Sequence, residues 1–336
     1  MKHNKKKRWS AIVFLLVLIL LLVCLLSLCT GSAGIELKQI PHILLLGQGS
    51  ADYNILLGIR LPRIILGLSI GGALSLAGTL LQGMFKNPLV EPYTLGISGG
   101  ASLGVCINIL FKFYGKLGVI AYPLSGFAGA SLVIFLVYYL NNRTRNIRSN
   151  RMLLTGVMIS YVASSLVMLL MAISKSDDLQ NIVLWILGSL DESNTALIKM
   201  AFLGSLSGLV VSYFFCFDLN AMLLGEDEAA SLGVNTIRSK KFLFITASFL
   251  TGLSVSVAGI IMFVGLIVPH FMRLMAGPDH RILLLSSFLG GAAFLVLCDV
   301  IARVIISPLE LPVGVITGII GGVIFIWVLS RKKVTL

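Results

Sequence analysis

From Phe242 to Met272 the chain runs for thirty-one residues without an Asp, Glu, Lys or Arg. As one straight helix this run would measure roughly 46 Å, against a bilayer hydrocarbon core of about 30 Å. It needs both an apolar solvent and an interruption. Gly259 and Pro269 supply breaks, so the sequence predicts two helices, 242–258 and 260–276, joined by a tight turn near Ala258–Ile260. Apolar runs recur along the rest of the chain and place further spans at 10–30, 62–84, 94–112, 118–140, 152–174, 195–216, 282–304 and 313–330. Composition agrees: 12% of residues are charged, where soluble domains carry about 25%. The runs are continuous rather than alternating, which excludes a transmembrane β-barrel. The expected fold is an all-α polytopic membrane protein of about ten transmembrane helices, one domain over 1–336.

Cationic residues orient the spans. With the N-terminus on the cytoplasmic side, ten spans put both termini and the loops 85–93, 141–151, 217–241 and 277–281 inside, and these segments, with Arg273 at the inner end of the eighth span, hold eighteen of the twenty-six Lys and Arg. The apolar stretch 179–190 is too short to cross and reads as a surface or re-entrant helix; counting it as a span would send Arg331, Lys332 and Lys333 outside. The net charge of +12 is therefore the signature of membrane topology, and no nucleic-acid partner is expected. Lys2, Lys5, Lys6, Lys7 and Arg8 before Ala11–Leu28 imitate a signal peptide, but the apolar run exceeds a signal's 7–15 residues and Leu28 is too bulky to precede a processed Cys29. A retained first membrane helix is expected. Cys24, Cys29, Cys106, Cys216 and Cys298 lie in apolar stretches without metal-type or redox spacing, and read as packing residues.

The phosphate-binding GxxxxGK[ST] and the HExxH patterns are both missing, so nucleotide energy would have to be handled by another chain. His270 and His280 lack the neighbouring ligands that a metal site or proton relay needs, and Asp279 is expected to cap or to pair with His280 or Arg281. Glycines repeat at four-residue spacing within spans, as in Gly67/Gly71, Gly96/Gly100/Gly104, Gly204/Gly208 and Gly314/Gly318/Gly322. They allow close helix approach, either in internal packing or along a dimer seam or path. Asp299 and Arg303 share a helical face and either pair there or leave Arg303 presented outward. Arg60 and Arg63 flank Pro62 at the outer start of the second span, against the positive-inside trend, and serve as interface anchors or as a docking site. Three of the fourteen acidic residues, Glu226, Asp227 and Glu228, stand together in the longest inner loop.

Three segments, 60–104, 223–235 and 259–281, with the tail 310–329, closely resemble the permease family of ATP-binding-cassette importers for iron–siderophore complexes, haem and vitamin B12. The resemblance runs in order over nearly the whole chain. It implies a homodimer with its substrate path at the subunit interface, a cytoplasmic ABC ATPase dimer that binds ATP and Mg²⁺, and an extracytoplasmic substrate-binding protein. This chain would itself bind no cofactor. The inner loop, about 217–241, matches the family's coupling helices at Gly225, Glu226, Asp227, Glu228, Ser231 and Gly233. Arg60, Arg63 and Arg303 match positions that grip the binding protein, and Asn87, Pro88, Glu91 and Pro92 match an inner turn or gate. The resemblance implies the cytoplasmic membrane of a prokaryote and a ferric siderophore, with haem or vitamin B12 as alternatives. An ion-coupled carrier would need mid-membrane carboxylates, for which Asp299 is the one clear candidate. A membrane enzyme for lipid or prenyl substrates would need a second acidic cluster, which the sequence lacks.

Overall fold

The computed structural model describes residues 2–31, 34–142 and 149–331. In chain order the helices are α1 (Lys2–Cys29), the short α2 (Ile40–Leu46) and α3 (Ala51–Ile55), then a π-helical turn (Leu56–Arg60) leading into α4 (Leu61–Phe85). There follow α5 (Ile97–Leu110), the one-turn α6 (Tyr114–Leu117), α7 (Ala121–Asn142), α8 (Ser149–Ile173) and α9 (Ser176–Ile186). The chain continues with α10 (Thr195–Phe214), α11 (Cys216–Leu224), α12 (Glu226–Ser231), α13 (Thr236–Ala258), α14 (Val264–Ala276), α15 (His280–Val304) and α16 (Val313–Arg331). Seven helical stretches are long and apolar enough to cross a bilayer, and three shorter ones, in α5, α14 and α16, bring the apolar helices to ten among the described residues. The eleven-residue α9 does not span, as its length dictates.

Helix α4 is the centre of the bundle, buried almost continuously from Arg63 to Phe85. It can be so because it presents glycine where its neighbours cross. A Cβ on Gly71 would lie 2.3 Å from the carbonyl oxygen of Gly291, and a Cβ on Gly291 would lie 2.3 Å from that of Gly71. α4 and α15 therefore run antiparallel in backbone contact, with Gly67 against Val296 near one end and Gly83 against His280 near the other. The same reciprocity joins α5 to α7 through Gly100 and Gly129, at 2.5 and 2.0 Å. Internal packing thus accounts for these glycines. Gly318 and Gly322 on α16 differ, for their nearest neighbours, Met262 Cε and Phe263 Cζ, stand 3.8 and 3.9 Å away. Apolar side chains on α1 (Phe14, Leu21, Leu22) and α8 (Tyr161, Val162, Met168) face outward, as a hydrocarbon solvent requires.

The two ends differ in charge. At one, Lys5 Nζ pairs with Asp279 Oδ2 at 3.2 Å and Arg8 Nη2 donates to the Met275 carbonyl at 2.7 Å, close to Arg273, Arg281 and Lys86. At the other lie Arg60, Arg63, Asp299, Arg303 and Glu310. Arg143, Arg145, Arg148, Lys332 and Lys333 lie outside the described residues.

Two expected spans begin later than their apolar runs. The segment 94–112 is α-helical only from Ile97, and 260–276 only from Val264. The resulting helices of fourteen and thirteen residues are about 20 Å long, short of the ~30 Å core. Before α5 the chain makes a 3-10 turn (Pro92–Leu95), and before α14 it is unwound over 259–263, both inside the bundle.

Candidate functional site

At the Lys/Arg-rich end, α11 and α12 are joined at Gly225, where a backbone constraint sets the turn. Gly225 has φ 152°, and a Cβ there would meet the Glu228 carboxylate. The acidic trio fills the first turn of α12, where the helix dipole favours negative charge. Their fates then diverge. All three are exposed, but Glu226 Oε1 is held by the buried Lys240 Nζ at 2.6 Å, tying α12 to α13. Ser231 Oγ donates to the Asp227 carbonyl within α12, so its hydroxyl serves its own helix. Leu224, Leu232 and Ile237 are 68%, 65% and 62% exposed around the acids, while Ala229 is buried beneath them. An exposed surface of two carboxylates and three aliphatic side chains is suited to a protein partner.

The α11–α12 element is rooted in the bundle through polar contacts. Ser239 Oγ donates to the Asp218 carboxylate. Asn220 Oδ1 accepts from the His280 N–H at 2.8 Å, and its Nδ2 donates to Asp279 Oδ1 at 3.0 Å. Asp279 caps the Arg281 N–H and pairs with the Arg281 guanidinium at 2.6 Å, as the sequence suggests; the contact with Lys5 of α1 is additional. These donors, Arg281 foremost, hold the Asp279 carboxyl well below the usual carboxylate range.

Asn87, Pro88, Glu91 and Pro92 begin as the expected turn but do not stay at the bundle's end. Asn87 Oδ1 accepts from the Leu89 N–H at 2.9 Å, which makes an Asx turn. The chain then folds back beside α4 to its middle. There Pro92 Cδ lies 2.6 Å from where a Gly265 Cβ would be, and the same Cβ would lie 2.8 Å from the Leu74 carbonyl oxygen. At that depth Glu91 Oε1 accepts from the Phe263 N–H at 2.7 Å and Tyr93 Oη accepts from the Ile261 N–H at 3.1 Å. These are backbone donors of the unwound segment 259–263, which enters from the other end through Gly259 at φ 70° and Phe263 at φ 67°. Gln82 completes the junction: its Nε2 donates to the Leu266 carbonyl at 3.2 Å and its Oε1 accepts from Arg273 at 3.2 Å. Two broken segments thus satisfy each other inside the bundle, the condition for non-helical backbone at membrane depth. Tyr93 and Gln82 carry no local signal of this role; only the excess length of the charge-free run 242–272 hints at an unwound stretch.

The outer arginines, for which the sequence leaves docking, anchoring or pairing open, are buried in this chain, with exposures of 3%, 7% and 4% for Arg60, Arg63 and Arg303. Arg303 Nε pairs with Asp299 Oδ2 at 2.9 Å, and its Nη2 donates to Ser27 Oγ of α1 at 2.7 Å. Arg63 Nη1 pairs with Glu310 Oε2 at 2.6 Å, its Nε faces Asp299 at 3.7 Å, and Arg60 donates to the Leu28 carbonyl. Two carboxylates and the last turn of α1 draw the guanidiniums inward, since a buried charge is tolerated only when paired. Glu310 remains the half-exposed member of the cluster.

Ten apolar helices packed through glycine, two broken segments meeting in the interior and an acidic element at the basic end define a multi-pass helical membrane protein. The profile of the FecCD transport family matches residues 19–331. The chain is 36% identical to the hemin transport system permease HmuU of Yersinia pestis over 93% of this chain and 95% of the relative. It is 39% identical to the Fe(3+) dicitrate permease FecD of Escherichia coli, over 85% and 88% of the two chains, and 34% identical to the vitamin B12 permease BtuC of Klebsiella pneumoniae, over 99% and 96%. Among solved structures, one of an ABC transporter of the metal-chelate type in an inward-facing conformation superimposes with a TM-score of 0.86 at 29% identity, covering 96% of this chain and all of the other. The chain belongs to the FecCD family of ABC importer permeases, whose ATPase is a separate subunit.

Proposed function

We propose that the chain carries an iron chelate of the ferric siderophore class across the cytoplasmic membrane, as one half of a permease homodimer. The observation that carries the coupling part of this reading is the Glu226–Lys240 clamp at 2.6 Å beneath the exposed Asp227 and Glu228. A cytoplasmic ATPase binding ATP and Mg²⁺ grips α12 at Asp227, Glu228 and Leu232. Its closure displaces α12, the clamp passes the displacement to α13, and α13 runs directly into the unwound 259–263. There Glu91 and Tyr93 hold the chain, so the motion reaches the middle of the bundle, where access switches between the two faces. Positive-inside sorting supports placing the α12 end and the N-terminus in the cytoplasm. The substrate-binding protein meets the opposite end, around Glu310, with Arg60, Arg63 and Arg303 as the brace beneath it. Iron is favoured because two of the three named relatives transport hemin or Fe(3+) dicitrate.

The test is an affinity pull-down of the tagged permease from membranes of its own host, with radio-iron siderophore and cobalamin uptake measured in parallel. Recovery of an ABC ATPase, lost when Asp227 and Glu228 are both replaced by Lys, is the expected result. Normal ATPase recovery by the double variant would overturn the coupling assignment. Uptake of cobalamin instead of the siderophore would replace the iron assignment and leave the rest standing.

A further inference from the structure

A groove of about 350 Å³ runs between α7 and α13 on the outside of the bundle. Its floor is made of small residues, Ser131 on α7 and Ser248 and Gly252 on α13, and its walls of Phe135, Tyr138 and Phe249. The groove has a wet end and a dry end. At the wet end Lys241 Nζ sits 5.5 Å from the Tyr138 ring centroid, in cation–π contact, and no carboxylate pairs with it among the described residues. The charge-free run begins at the next residue, Phe242, while Tyr138 and Tyr139 on α7 form the aromatic pair expected at a membrane interface. At the dry end Phe127 meets Phe249 edge-on, with centroids 6.3 Å apart, and closes the groove beside Gly252. From residue 241 to residue 252 an α-helix rises roughly 16 Å, close to half of the ~30 Å hydrocarbon core.

We propose that this groove is a binding site for one acyl chain of an anionic glycerophospholipid from the Lys/Arg-rich leaflet, with its phosphate at Lys241. Depth and charge select the occupant. A membrane-crossing helix of a second copy would need a groove running the whole depth, whereas this one stops at mid-membrane and carries its cation at the interface. The neighbouring residue, Lys240, holds Glu226 of α12, so the bound lipid braces α13 one residue from the anchor of the acidic element. The site depends on the membrane setting of the chain and not on its substrate or its ATPase.

Native mass spectrometry of the full-length permease, purified in mild detergent and supplied with equimolar phosphatidylglycerol and phosphatidylcholine, reads the site directly. One phosphatidylglycerol is expected to be retained in preference to phosphatidylcholine by about fivefold, the contribution of one interfacial Lys. Lys241→Gln, a change at an exposed side chain, should abolish that preference while keeping a retained lipid. Gly252→Leu should abolish retention of both lipids. Gly252→Ala should retain lipid as wild type does, because its Cβ finds Ala130 Cβ at an ordinary 3.5 Å. Undiminished preference in Lys241→Gln, or undiminished retention in a folded Gly252→Leu, would overturn the site. A Gly252→Leu chain that turns monomeric while the wild type is dimeric would overturn it too, by giving the groove to a second copy.

Discussion

Replacing Glu91 by Leu removes the acceptor for the Phe263 N–H, which it now binds at 2.7 Å inside the bundle. Water does not replace the lost partner at that depth, and an orphaned buried donor costs about 1–3 kcal/mol. Glu91→Gln keeps an oxygen in place to accept the same bond, so its cost should stay at about 1 kcal/mol or less. Tyr93→Phe removes the second clasp, on the Ile261 N–H at 3.1 Å, for a cost of about 1 kcal/mol. Both clasps hold the same unwound segment, so the Glu91→Leu/Tyr93→Phe pair should depart from additivity by about 0.5 kcal/mol or more. Reversible unfolding in mixed micelles, followed by tryptophan fluorescence, measures all four variants, and Trp185, whose carbonyl abuts Gly259, reports locally. Amide exchange at 261–263 should rise in Glu91→Leu and stay low in Glu91→Gln. If Glu91→Leu unfolds like Glu91→Gln and exchange at 261–263 is unchanged, the clasp does not hold the broken helix.

Reversing the clamp offers a second test: Glu226→Lys or Lys240→Glu alone should lower ATP-coupled uptake, and the charge-swapped pair should recover a large part of it. Lys240 is buried, so the single changes should also lower thermal stability, by about 1–3 kcal/mol, in a detergent melt. Gly78→Ala should fail to yield folded protein by size exclusion, because a Cβ there would lie 1.8 Å from the Gly265 carbonyl oxygen. Asp279→Asn should loosen α1 and speed proteolysis after Lys5 and Arg8. Because the Asp279 carboxyl titrates below its unfolded value, its contribution is complete above the unfolded pKa of about 3.9 and disappears only as pH falls further. The same proteolysis run on wild type at pH 7 and pH 5 should therefore show no difference in cleavage at α1.

The spans were legible because burial in lipid writes itself locally: charge stops at Phe242 and resumes at Arg273, and no other chain element is needed to read that. The glycines of α4, the short α9 and the break near Gly259 were legible for the same reason. What local sequence hides is pairing across distance. Arg63 and Glu310 lie 247 residues apart, and nothing near Arg63 announces that its charge is already taken. Tyr93 was equally silent, for a tyrosine beside Pro92 reads as turn decoration until Ile261 is seen above it. The late starts of α5 and α14 escaped because an unwound apolar stretch and a helical one have the same composition. The acidic trio is visible as a group in the sequence, but the clamping of Glu226 apart from Asp227 and Glu228 depends on where Lys240 points.

The reciprocal contact of Gly71 and Gly291 has a mechanical corollary. Each glycine sits in the notch left by the other's missing side chain, so α4 and α15 are keyed together like a shaft in its hub. Sliding either helix by one residue would drive a side chain against a carbonyl, and rolling either would do the same. On the proposed coupling route this pair is the stator against which the other helices are displaced, and the gearing between the two membrane faces runs through α13 and its unwound extension.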